Sequence, residues 1–226
     1  MTTMRNDVPF VPNTLDGMQC VVVVFRMIAM YFDKNFSIPM SEWADVCGYE
    51  QDKGTWAYGA LVWFDEQGCD VRHYESTDPQ DFVDDPEGAL VRAFGADVGQ
   101  WCIDHTNIPA EVTRAKKLLA RPHIVHRQEP TLEDVRRYLD DGYLLRVNVN
   151  SSRLRGKDGF AGHSIVVVGY DDQGLFAHDP GGLDYTPVPY RHIAWNLFEQ
   201  CWADPNSAAK ELDAIKMRKY EEQHEH

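Results

Sequence analysis

The stretch GHSIVVVGYDDQGLFAHDPGG, residues 162–182, decides the fold. Its first part, residues 163–170, is rich in β-branched residues and predicts a strand. The polar segment Asp171-Asp172-Gln173-Gly174 is typical of a turn. Residues 174–178 predict a second strand. Two strands joined by so short a connection pair antiparallel, so this region is expected to form a β-hairpin.

The hairpin brings a histidine and an aspartate to one face of the sheet. If the loop has three residues, Tyr170 pairs with Gly174 and Ile165 pairs with Asp179. His163 then lies one diagonal step from Asp179 on the same face, within reach of its carboxylate. An aspartate in that place fixes the histidine tautomer and stabilises the imidazolium. A two-residue loop would put Asp179 on the opposite face.

Residues 17–32, towards the N-terminus, form an almost continuous apolar run with a cysteine near its start. The valines at 21–24 favour a strand by propensity, but the length of the run favours a buried helix, which we predict. Cys20 would lie near the N-terminus of this helix, where the helix dipole lowers a thiol pKa. The alternative for Cys20 is ordinary packing in the core.

Between and around these segments the chain is helical first and β-rich later. Helices are predicted at 41–47, 57–67, 86–95, 108–120 and 131–142, and further strands at 143–150 and 187–190. This order predicts an α+β fold in which an N-terminal helical half, with a central helix, packs on a C-terminal antiparallel β-sheet. We expect one domain over residues 1–205, followed by a charged helix or tail over 206–226.

Composition excludes several classes of function. The chain has 226 residues and a net charge of −14, which disfavours binding to nucleic acid and to anionic membranes. The N-terminus lacks the apolar core of a signal peptide, and the apolar stretch 20–32 is too short to span a bilayer. A cytoplasmic protein is therefore predicted. Its five cysteines contain no CxxC pair and are expected to be free thiols.

The strings NTLDGMQC (13–20) and MIAMYF (27–32), taken with the hairpin at 162–182, resemble the papain-like superfamily. They are most similar to its bacterial branch of double-glycine leader peptidases of bacteriocin export and their stand-alone relatives. In that branch a Cys opens the central helix, a His opens a strand, and an Asp follows one hairpin later in a [DN]-P string. The resemblance implies that Cys20 is the nucleophile, His163 the base and Asp179 the residue that orients the base.

The pattern departs from the family around the nucleophile. Papain-like enzymes usually carry a Gln six residues before the Cys, where its amide donates to the oxyanion, and Thr14 stands there. We predict that Asn13 takes this role together with the Cys20 backbone N–H, and Gln19 is a second amide near the nucleophile. Val21 replaces the small residue that is common after the Cys.

Two further residues are candidates for binding substrate. Gly162 leaves room beside the ring of His163 for a substrate chain or a partner helix. Trp56 could line a groove for an apolar group, although core packing is the alternative. The pairs His123/His126 and Cys102/His105 could each supply half of a metal site, but neither has a second pair at ligand spacing nearby. No metal and no cofactor are predicted.

The sequence therefore predicts a cysteine hydrolase that cleaves a peptide or amide bond through a thioester, with a peptide or peptide-like substrate. Two alternatives remain open. An acyl or peptidyl transferase of natural-product biosynthesis would use the same Cys20, His163 and Asp179. A non-catalytic peptide-binding module would carry an unreactive Cys20.

Overall fold

A computed structural model describes residues 4–14, 16–75 and 78–218. Within these ranges the helices are α1 Cys20–Phe32, α2 Met40–Cys47, α3 Tyr58–Glu66, α4 Pro79–Asp84, α5 Pro86–Phe94, α6 Ala96–Asp104, α7 Ile108–Leu119, α8 Leu132–Asp140, α9 Ser151–Leu154 and α10 Trp195–Trp202. The strands are β1 Met4–Arg5, β2 Cys69–Glu75, β3 Val125–His126, β4 Leu144–Asn150, β5 Gly162–Tyr170, β6 Gly174–Asp179, β7 Val188–Ala194 and β8 Glu211–Met217. The fold is α+β, as predicted.

The strands form one sheet in the order β3-β2-β8-β4-β5-β6-β7, and β1 pairs with β5 beside that path. All pairs are antiparallel except β2 with β3. The predicted short edge strand at 187–190 corresponds to β7, which ends the sheet. No helix in the described ranges combines the length and the apolarity needed to cross a membrane.

Helices cover both faces of the sheet. On one face the central helix α1 packs its valines against Val166 and Val168 of β5, together with the other helices of the first half. On the other face α8 and α10 cover Ile165 and Val167 of the same strand. Because β5 is buried on both faces, it is apolar almost without alternation.

The helix ends follow the capping signals in the sequence. The hydroxyl of Thr131 accepts from the backbone N–H of Asp134, and the Asp134 carboxylate accepts from the backbone N–H of Thr131. This reciprocal pair is a capping box at the start of α8. At the end of α2, Gly48 has a φ of 80°, a left-handed conformation that favours glycine.

Two predictions about the sheet are wrong. Strand β2 lies within the half predicted to be helical. Residues 206–226 were expected to be a charged helix or tail, yet β8 lies inside the sheet between β2 and β4. The charged residues of β8 concealed an apolar pattern: Leu212, Ala214 and Ile215 are fully buried. The domain therefore includes residues beyond 205, while 219–226 lie outside the described residues.

The hairpin reaches the predicted register by another route. Tyr170 pairs with Leu175 rather than with Gly174, so the loop is one residue longer than expected. An irregularity between Val167 and Gly169 then shifts the register by one, and Val166 pairs with His178. Asp179 consequently lies on the face that carries His163.

The position of β8 makes a stability prediction. Leu212→Ala should lower the free energy of unfolding by about 2–5 kcal/mol, because it leaves a cavity beneath an inner strand. Urea denaturation followed by circular dichroism measures the change. The control is Leu183→Ala, since Leu183 is 79% exposed and should shift the value by less than about 0.5 kcal/mol. Equal effects of the two variants would mean that 211–217 is not a core strand.

Candidate active site

Cys20 is the first residue of α1 and is partly exposed. The turn before it depends on Gly17, which has a φ of 68° and whose absent Cβ would meet the backbone of Leu183. No side chain caps the N-terminus of α1. Its first backbone N–H groups, including that of Cys20, are thus available beside the thiol.

His163, near the start of β5, and Asp179, at the end of β6, form a hydrogen-bonded pair. The distance from His163 Nε2 to Asp179 Oδ1 is 2.9 Å, and both side chains are buried. The thiol of Cys20 lies close enough to the same imidazole for each group to shift the pKa of the other. Since Nε2 faces the carboxylate, Nδ1 is the nitrogen left for the sulfur. The structure therefore brings together the three residues that the sequence analysis proposed for catalysis.

Asp179 has further donors. Its Oδ1 accepts from the backbone N–H of Gly181 at 3.0 Å, and its Oδ2 accepts from Arg191 Nη1 at 2.8 Å. Burial raises the pKa of the Asp179 carboxyl, but the bonds to His163, Gly181 and Arg191 outweigh it and lower the pKa below its usual range. The carboxylate is held ionised beside the imidazole.

The thiol and the imidazole shift each other towards an ion pair. Burial raises the pKa of Cys20, but the hydrogen bond and the charge of His163, with the backbone N–H of Ser164, make the net shift a lowering. Burial lowers the pKa of His163, but its bonds to Asp179 and Cys20 raise it to about 9. At neutral pH this arrangement favours a thiolate beside an imidazolium.

These residues open onto a cleft of about 400 Å³, within the size range of small-molecule sites. Cys20 and His163 line it, and so do the two predicted substrate-binding residues, Trp56 and Gly162. Apolar residues form much of its rim, namely Met18, Phe94, Trp101, Phe160 and Leu183.

The two predicted oxyanion residues, Asn13 and Gln19, contact other parts of the protein. Asn13 donates its side-chain N–H groups to the carbonyls of Gly17 and Gly181, each at 3.0 Å, and its Oδ1 accepts from the backbone N–H of Gln19. Asn13 therefore ties the loop before Cys20 to the turn after Asp179. The side chain of Gln19 interacts with Asp16 and Tyr49.

Neither Asn13 nor Gln19 is among the described residues that line the cleft. The oxyanion role of these two side chains stays a prediction, and the bonds of Asn13 do not favour it.

Sequence reasoning missed three residues at the site. Arg191 holds Asp179, Tyr185 meets the ring of His163 edge-on with centroids 5.7 Å apart, and Arg146 lines the cleft from β4. All three lie outside the hairpin stretch 162–182. Arg146 is on β4, before the hairpin, and Tyr185 and Arg191 come after it. The Arg in the alternating strand β4 was the one visible signal, because an arginine within a buried strand needs partners.

The metal pairs weighed above lie apart. His123 bonds Asp65 at the surface, and Cys102 and His105 line the rim of the cleft. Among the described residues, one group has atoms close enough to hold an ion: His73, Glu211 and Asp213. The guanidinium of Arg146 contacts the carboxylates of Glu211 and Asp213 in this group.

Comparison with known proteins identifies the family of the chain. Residues 92–210, slightly more than half of the chain, match the model of the Peptidase_C39 like family. The matched segment includes His163 and Asp179 and begins after Cys20. Among curated proteins, no sequence matches the chain.

Two solved structures are similar over nearly the whole chain. One is a double glycine motif protease from an AMS/PCAT transporter in complex with the leader peptide, with 12% identity, a TM-score of 0.47, and coverage of 96% of this chain and 100% of that one. The other is described as a C39-like peptidase from Bacillus anthracis, with 14% identity, a TM-score of 0.48, and coverage of 97% and 100%.

The lowered pKa of Cys20 makes a reactivity prediction. At about pH 6, iodoacetamide should alkylate Cys20 far faster than an ordinary thiol of pKa about 8.5, because a lowered pKa leaves a larger fraction of Cys20 as thiolate. Peptide mass mapping gives the rate at each cysteine. Cys102 is the internal control, since it lines the same cleft but burial raises its pKa to about 11.

His163→Ala should remove the advantage of Cys20 over Cys102. A denatured sample shows that both thiols can be modified. If Cys20 in the native wild type reacts no faster than Cys102, the thiolate–imidazolium pair does not exist.

The bonds of Asn13 make a second prediction. Asn13→Ala should lower the free energy of unfolding by about 1–3 kcal/mol, because the Gly17 and Gly181 carbonyls and the Gln19 N–H lose their partner. Thermal or urea unfolding measures it. If Asn13 served only as a donor to the oxyanion, Asn13→Ala would leave the free energy of unfolding unchanged and would slow acyl transfer. That result would support the predicted oxyanion role of Asn13.

Proposed function

The chain belongs to the Peptidase_C39 like family, and from this premise we propose that it is a cysteine hydrolase that cleaves a peptide or amide bond through a thioester on Cys20. The observation that carries the proposal is the 2.9 Å bond between His163 and Asp179, with Cys20 beside the same imidazole in the cleft. A nucleophile, a base and an orienting carboxylate in this order are the parts that acyl transfer requires.

In the first half of the reaction the Cys20 thiolate attacks the substrate carbonyl carbon, and the carbonyl π electrons move to oxygen. The backbone N–H of Cys20, at the uncapped N-terminus of α1, donates to this oxyanion. When the oxyanion collapses, the C–N bond breaks and the leaving nitrogen takes the Nδ1 proton of His163. The products of this half are an amine and a thioester.

In the second half the neutral imidazole of His163 takes a proton from water, and the hydroxide oxygen attacks the thioester carbon. Collapse of that intermediate expels the Cys20 thiolate and releases a carboxylic acid. Asp179 stays ionised throughout, because His163, Gly181 and Arg191 hold its charge. Its part is to stabilise the imidazolium and to fix the ring.

A p-nitrophenyl ester tests this proposal without knowledge of the natural substrate. We expect a burst of nitrophenolate equivalent to one site per chain, an acyl group on the peptide that contains Cys20, and slow loss of that group to water. Asp179→Asn should slow the burst by roughly 10²- to 10⁴-fold, because the imidazole loses its orientation and its charge partner.

Cys102→Ala is the matched control and should retain the burst, since Cys102 shares the cleft but not the imidazole. Acylation that is equal at the two cysteines, or that is unaffected by Asp179→Asn, would disprove the proposed site. An added alkylamine distinguishes hydrolysis from transfer: for a hydrolase the acid remains the main product by mass.

A further inference from the structure

Two rows of polar side chains cross the sheet beneath α1, next to Cys20. In the first row Asn148 pairs with Ser164, and Glu75 pairs with Glu211. The register that pairs Val147 with Leu212 sets Asn148 beside Glu211 and so joins the two halves of this row. The row therefore runs from β5 through β4 and β8 to β2.

The second row lies on the same face, two residues away from the first on β4, β8 and β2. Arg146 pairs with Asp213, and Asp213 pairs with His73. Arg146 Nε donates to Ser164 Oγ at 3.0 Å, and Arg146 Nη1 contacts both Asp213 and Glu211. Arg146 thus links the second row to the first.

The charges of these two rows do not balance. Burial lowers the pKa of His73, but Asp213 and Glu75, at 2.6 and 3.0 Å, raise it to about 10, so the ring is a cation at neutral pH. His73 and Arg146 therefore face three acidic side chains, those of Glu75, Asp213 and Glu211. One carboxyl group lacks a cation.

The catalytic residues do not supply the missing charge. The His163 imidazolium and the Arg191 guanidinium are matched there by the Cys20 thiolate and the Asp179 carboxylate. The surplus acid thus belongs to the two rows alone.

Glu211 is the acid of the three that lines the cleft, with its side chain 18% exposed. Burial raises the pKa of Glu211, and Asp213 and Glu75 raise it further against the effect of Arg146. Strands lie about 4.8 Å apart, so Glu211 on β8 is two strands, or about 10 Å, from Ser164 on β5.

Two neutral oxygen acceptors share the cleft with Glu211. Thr55 Oγ1 is buried and has no hydrogen-bond partner within the described part of the chain. The side chain of Asn148 also lines the cleft and forms no hydrogen bond to any described residue. Thr55 Oγ1 is a buried polar atom without a partner, which is rare in folded proteins and indicates that something else supplies the bond, whereas Asn148 is half-exposed and open to the cleft.

We propose that Glu211 and the adjacent Asn148 form a subsite for a primary ammonium group of the substrate, about 10 Å, or two strand spacings, from Ser164, the neighbour of His163. An ammonium has three donors and one positive charge. It would supply the missing cation and donate to Glu211 and Asn148, and Thr55 Oγ1 is a further acceptor in the same cleft. This inference rests on the proposed function and defines its substrate class as an amide or short peptide that carries an amine.

Two chloroacetamides test the subsite: N-(5-aminopentyl)chloroacetamide and N-hexylchloroacetamide. The thiolate of Cys20 displaces chloride from either reagent, and the chain spans about two strand spacings. The reagents differ in that one ends in an ammonium and the other in a methyl group. The measured quantity is the ratio of their rates at Cys20, which cancels any change in the intrinsic reactivity of the thiol.

In the wild type the ratio of the ammonium to the methyl reagent should be about 10 or more. Glu211→Gln should bring the ratio close to one. The matched control is Asp184→Asn, the same chemical change at a carboxylate of the cleft rim whose side chain is 62% exposed and paired with Arg155. This control should keep the ratio of the wild type.

Asn148→Leu provides a second variant with similar shape, in case the charge change at Glu211 prevents folding. It should lower the ratio several-fold, because one acceptor is lost.

A ratio near one in the wild type, with fast iodoacetamide labelling of Cys20, would overturn the subsite and leave the proposed function intact. Loss of the preference in Asp184→Asn but not in Glu211→Gln would overturn it too, because the attraction would then come from the rim. Slow labelling of Cys20 by every reagent would overturn the proposed function, and this inference with it.

Discussion

The Asp179 carboxylate is the constraint on which the site depends. It is fully buried, and an ionised carboxylate in such a place is costly unless donors surround it. His163, Gly181 and Arg191 meet that requirement from β5, from the turn after β6 and from β7. The same bonds that keep the charge inside the protein fix the imidazole, so stability and orientation have one origin.

Asn13 extends this order to Cys20. Cys20 and His163 are 143 residues apart in the chain, and a thiolate–imidazolium pair tolerates little error in their separation. Asn13 bonds Gly17 on the side of Cys20 and Gly181 on the side of Asp179. The N-terminal segment before it is bound to the hairpin as well, since His178 Nε2 donates to the Val8 carbonyl at 2.9 Å. The loop before Cys20 is thus fastened to the turn after Asp179.

The cleft joins two chemical environments. Much of its rim is apolar, and Arg146 and Glu211 connect its floor to a buried set of charges on β2, β4 and β8. Two cations facing three acids leave the floor acidic, while the catalytic pair beside it is neutral as a whole. A cleft of this kind selects by charge at its floor and by apolar contact at its rim, which are independent means of discrimination.

Local signals, namely apolar runs, turn residues and strand periodicity, were enough to predict the central helix and the hairpin, but they put His163 and Asp179 on one face only for a three-residue loop. Even there the register needed a compensating irregularity that no local pattern revealed. The positions of β2 and β8, the partners of Arg146 and the bonds of Asn13 were decided only by the tertiary structure. Each depends on pairing between residues far apart in the chain, as when Asn13 bonds Gly181, and such pairing leaves no periodicity in either segment alone.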